Sequence, residues 1–78
     1  MPKIPHWMDS YNIAMRSKRP SFLRDNAVAR DEIHGRMIFL RDSHSDDDKR
    51  EYGRLLLALS DLSVMAASFW KYGQAMAR

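Results

Sequence analysis

A chain of 78 residues with no cysteine and a net charge of +3 has room for one small domain and no disulfide to brace it. Three scattered histidines match no four-ligand zinc spacing, which argues against a structural metal and leaves close helix packing or self-association as the stabiliser. The positive charge is uneven, since residues 1–42 carry eight Lys/Arg against five Asp/Glu while residues 43–78 carry five of each, a balance suited to an acidic protein surface or to nucleic acid.

The first segment, Met1-Pro2-Lys3-Ile4-Pro5-His6-Trp7, has no apolar leader. With the absence of cysteine, that fits a cytoplasmic protein. Trp7, Tyr11, Ala14 and Met15 fall on one face at helical spacing. They predict a helix over residues 5–17, with Pro5 in the first turn, where its missing N–H costs nothing. Pro20 ends it, because the residue before a proline avoids helical geometry. Trp7 and Tyr11 can form a lid over the C-terminal helix or serve as aromatic anchors for a partner. Arg16, Lys18 and Arg19 form a basic linker, either a solvated loop or a phosphate-contacting arm, without the interleaved aromatics of a base-stacking platform.

A second helix is expected over residues 21–42, capped by Ser21. Its apolar stripe is Phe22, Ala29, Ile33, Met37 and Leu40. Glu32 and Arg36 are four apart in the favourable order for an ion pair. Gly35 weakens the helix interior by up to about 1 kcal/mol, and marks a kink or a close approach of another helix. The run Met37-Ile38-Phe39-Leu40 also suits a short strand, but a lone strand would leave its backbone groups unpaired, which favours helix.

Asp42-Ser43-His44-Ser45 reads as the turn of a helical hairpin. The acids that follow suit a helix start better than a calcium loop, which needs a glycine at its sharp turn and a bidentate acid at its end. Ser45 is expected to cap the next helix, Asp48 to complete a capping-box-like pair, and Asp46 to pair with Arg50.

That helix is expected over residues 45–77, and it reads as the element the rest of the chain must cover. Tyr52, Leu59, Ala66 and Gly73 alternate along one seam with Leu55, Leu62, Phe69 and Met76. Further apolar residues flank the seam, including Leu56, Ala58, Met65, Trp70 and Tyr72, and Leu57 and Val64 add a strip on the far side. One companion helix cannot cover so wide an apolar surface. The apolar run from Leu55 to Trp70 is shorter than the roughly 20 residues a membrane span needs and has Asp61 at its middle. Asp61 is expected in solvent or paired with an arginine of the second helix.

The predicted fold is all-α: a short N-terminal helix, then a helical hairpin with a long C-terminal arm, assembling as a dimeric bundle. The seam for core or self-association is Tyr52, Leu55, Leu59, Leu62, Ala66, Phe69 and Met76. The partner-binding residues are Trp7, Tyr11, Arg16, Lys18, Arg19 and Trp70. No phosphate loop, His-Glu-x-x-His, nucleophile elbow or cysteine nucleophile occurs. The expected function is therefore non-enzymatic and cofactor-free: a small adaptor or inhibitor of a larger protein, of the kind phages and plasmids carry. The alternatives are nucleic-acid binding through the basic segment 16–30 and a structural subunit of a larger assembly.

Overall fold

The computed structural model describes residues 6–18 and 20–76, without the side chains of Trp70 and residues 72–76. The roles expected of Pro5 and Arg19 lie outside the described residues, and so do the seam and anchor roles expected at Trp70, Tyr72, Gly73 and Met76, whose burial and contacts are not described. Three helices account for the fold: α1 over His6–Arg16, α2 over Phe22–Leu40 and α3 over Asp46–Met76. Among the described residues there is no strand, and Met37 to Leu40 are helical. No described helix is long and apolar enough to cross a membrane.

The central element is α2, not the long C-terminal helix. Both α1 and α3 pack along α2, and they touch each other little. The reason lies in the α2 stripe, where Phe22, Asn26, Ala29, Ile33, Met37 and Leu40 are all buried. Into this stripe α1 sets Trp7, Ser10 and Ala14, and α3 sets Leu55, Ala58 and Leu62. Tyr52 and Leu59 lean against the same core. Ile33, Leu55 and Leu62 are fully buried, each stabilising the fold by about 1.5–3 kcal/mol relative to exposure. Farther along the seam, Ala66 and Phe69 are half-buried. The Phe69 ring lies tilted against Phe22 with centroids 4.8 Å apart.

The expected stripe omitted Asn26, which is completely buried on it. Its Nδ2 donates to the Leu62 carbonyl at 2.9 Å, and its Oδ1 accepts from Arg30 Nε at 2.7 Å. Both ends of the amide are thus satisfied, as a buried polar group requires. This contact fixes the longitudinal register of the hairpin. With Arg36 meeting Glu51 and Phe22 meeting Phe69, it sets α3 antiparallel to α2. Ser10 bonds Glu32 and Ser17 bonds Asp25, so α1 is also antiparallel to α2 and hence parallel to α3. The 31 residues of α3, about 46 Å of helix, account for the 50 Å long axis of the molecule. Alongside α3, α1 reaches only as far as the Ser17–Lys18 linker.

Several local expectations take a different form. Ser21 is the N-cap of α2, but its side chain makes no capping bond. Its hydroxyl turns back to the Lys18 carbonyl and to Ser17. At the start of α3, the Ser45 carbonyl accepts the Lys49 N–H, but the side chain that closes the cap is Ser43. Ser43 Oγ donates to Asp48 Oδ2 at 2.6 Å and accepts the Ser45 N–H at 3.2 Å. The reciprocal arm of the capping box is therefore relayed through a hydroxyl two residues upstream. Glu32 does not pair with Arg36. Tertiary partners displace that contact: Glu32 takes Ser10 and His6, and Arg36 takes Glu51. Arg50 lies beside Asp47, at 3.6 Å, rather than Asp46. A Cβ built on Gly35 or Gly53 would meet nothing within 4 Å, so neither glycine marks a close approach inside the chain.

Candidate interaction surfaces

Glu51 is the hinge of the polar architecture. It stands on the first turns of α3, mostly covered, with its carboxylate aimed between α1 and α2. Trp7 Nε1 donates to Oε2 at 3.1 Å. Arg36 donates through Nε to Oε2 at 2.8 Å and through Nη2 to Oε1 at 3.1 Å. The fork geometry of guanidinium on carboxylate gives this pair direction as well as strength. The Arg36 hydrogen bonds hold the Glu51 carboxyl below the usual glutamate range, working against burial and helped by the Trp7 N–H.

The lock has an outward consequence. Held by Glu51, the Arg36 guanidinium lies over the Phe39 ring, 5.1 Å from its centroid. Phe39 is 75% exposed and Ile38 54%. Val28, also exposed, stands eleven residues before Phe39, three helical turns along the same side of α2. Between them on that side is Gly35, exposed and with open space where a Cβ would be. The outer face of α2 thus carries Val28 and Phe39 on either side of the open space at Gly35, with Asp31 and His34 exposed beside them and the Arg36 cation at one end. The sequence reading missed this surface. The signal was present in the unbroken run Met37-Ile38-Phe39-Leu40, of which a helix can bury only two members.

The expected partner-binding residues are dispersed. Trp7 is a core residue, 5% exposed, so its ring is not available as an anchor. Tyr11 is half-buried and packs against the core. In the basic segment 16–30, Arg16 folds back onto the Asn12 carbonyl, Arg24 lies 3.6 Å from Asp25, and Arg30 is held by Asn26. Among the described residues of that segment, Lys18 is the one cation whose side chain has no such partner.

A second surface lies where α1 and α3 diverge. A trough of 320 Å³ is lined by Trp7, Met8, Tyr11 and Asn12 from α1 and by Arg54, Leu57, Ala58 and Asp61 from α3. Past the end of α1, a further hollow continues along α3 beside Val64, Met65 and Ser68, with Ser17, Lys18 and Phe22 opposite. Leu57 is 70% exposed and Val64 63%. Asp61 is exposed on the trough wall and forms no ion pair with an α2 arginine. No family model, curated protein or solved structure matches the chain.

Proposed function

We propose that this chain is a non-enzymatic interaction module of adaptor or inhibitor type, which docks a larger protein against the outer face of α2. The observation that carries the reading is Phe39, largely exposed beneath a guanidinium that Glu51 already holds in place. Aromatic and arginine side chains dominate binding hot spots. An arginine fixed before binding loses less rotamer freedom on association. Gly35 supports the same face. In mid-helix it costs about 1 kcal/mol relative to alanine, and nothing inside the chain occupies the space it leaves. A partner helix crossing between Val28 and Phe39 would use that space.

The test is capture by the immobilised chain at high salt after nuclease treatment, with Kd then measured for the recovered protein. Phe39→Ser should weaken binding by about 30-fold, the scale of a hot-spot truncation. Gly35→Ala should raise thermal stability yet weaken the same binding. If Phe39→Ser binds as tightly as the parent, the outer face of α2 is not the docking site.

The nucleic-acid reading rests on the closeness of Arg16, Lys18 and Arg24 to the α1–α2 connection. It has less support, because Arg16 and Arg24 already have internal contacts. Its signature would be nuclease-sensitive capture whose affinity falls steeply with salt.

A further inference from the structure

We infer that the α1–α3 face pairs with a second copy of this chain, the two α3 helices running antiparallel about a two-fold axis beside Leu57 and Ala58. The argument starts from charge. From Leu55 to Trp70 the only charged residue is Asp61. The cation nearest to this stretch on the N-terminal side is Arg54, seven residues before Asp61 and therefore on the same side of the helix. Both line the trough, one on each side of Leu57 and Ala58. Both are exposed, and neither forms an ion pair among the described residues. A surface with a cation and an anion equidistant from its centre is complementary to itself after a half-turn.

The two-fold operation then makes specific contacts. Arg54 meets Asp61 of the partner subunit, and Asp61 meets the partner's Arg54. Leu57, whose side chain is largely in solvent in the single chain, packs at the axis. Arg50 falls opposite Met65 of the partner subunit, so no like charges are brought together along α3. The axis lies across the helices, so α1 also faces α1, and Met8 and Tyr11 of both subunits extend the apolar centre. An isologous contact of this kind closes on itself and leaves no open end for further addition.

The size is adequate. In this register the α3 helices overlap from residue 46 to residue 69, about 36 Å of helix. With α1 alongside, the footprint is on the order of 800 Å² per subunit, the size of a standard stable interface. The Phe39 end of α2 remains uncovered, because no α2 residue lines the trough.

The experiment is sedimentation equilibrium of the full chain across a range of micromolar concentrations, with helicity followed by circular dichroism. The parent should sediment as a species of twice the 9.1 kDa chain mass. Arg54→Asp alone, and Asp61→Arg alone, should each weaken association about 100-fold, since each places like charges together at both ends of the contact. Helicity should be unchanged, because both side chains are exposed. The double variant, Arg54→Asp with Asp61→Arg, should restore the dimer, an outcome that a purely intramolecular role for either residue would not produce. A parent that stays monomeric throughout, a single variant that associates like the parent, or a double variant as weak as the singles would each overturn the pairing.

Discussion

Glu51 shows how much one residue can organise in a small bundle. It joins all three helices, since it sits on α3 and accepts from Trp7 on α1 and Arg36 on α2. Its depressed pKa makes its contribution depend on pH. A carboxylate whose folded pKa lies below its unfolded value stabilises the fold fully above the ordinary glutamate range, and loses that stabilisation as pH falls through the folded value. The parent should therefore lose urea resistance on acidification through this range. Glu51→Gln should start less stable at neutral pH and lose less between pH 7 and the acid limb. Parallel curves for the two proteins would show that Glu51 does not carry the acid sensitivity. None of this linkage was legible in the sequence. Local spacing offered Arg36 the nearer Glu32, and only the docking of α1 draws Glu32 away to Ser10 and His6. The fate of Trp7 follows from the same contact. Once its indole N–H reaches Glu51, the ring is a wedge in the core and not a surface anchor.

At the level of elements, the helices were legible because their signals are local. Apolar spacing, the proline after α1 and the run of acids before α3 place all three helices within a residue or two of their observed limits. The caps were less legible, because they depend on where side chains reach. Ser45 occupies the expected backbone position, yet the hydroxyl bonded to Asp48 is that of Ser43. Ser43→Ala should therefore cost about 1 kcal/mol in chemical denaturation, and Ser45→Ala clearly less. The reverse order would mean that the Ser45 side chain closes the cap in solution. Asn26 was illegible for a different reason. A polar residue on an apolar stripe reads as an interruption until its partner, a backbone carbonyl of another helix, is known. Once paired it acts as a register pin, since sliding α3 would carry the Leu62 carbonyl away from the buried Asn26 amide.

For the molecule as a whole, the apolar excess expected of α3 is real, and it is divided between surfaces. The Tyr52–Leu62 stretch of the seam is turned to α2, while Leu57 remains in solvent beside the trough and Val64 beside the hollow past the end of α1. The choice of central helix could not be read from apolar content, because α2 also spends Val28, Ile38 and Phe39 on its outside. Its central place comes from the order of the elements: two tight connections fold α1 and α3 back along it. This geometry separates the two proposed contacts, one on the outer face of α2 and the other on the α1–α3 side. They should therefore act independently. Phe39→Ser should weaken binding of the larger partner by the same ~30-fold while sedimentation still shows the dimer. Asp61→Arg, which leaves in place the Arg54 charge that helps to hold the Glu51 carboxylate, should weaken the dimer while the intrinsic affinity for that partner, measured in solution with the partner in excess, is unchanged. Combining the two should give the sum of the separate free-energy effects, as expected for sites that share no contacts. If Asp61→Arg also lowers the intrinsic affinity for the partner, the partner contacts the α1–α3 face or bridges both subunits, and the division of labour between the two faces is wrong.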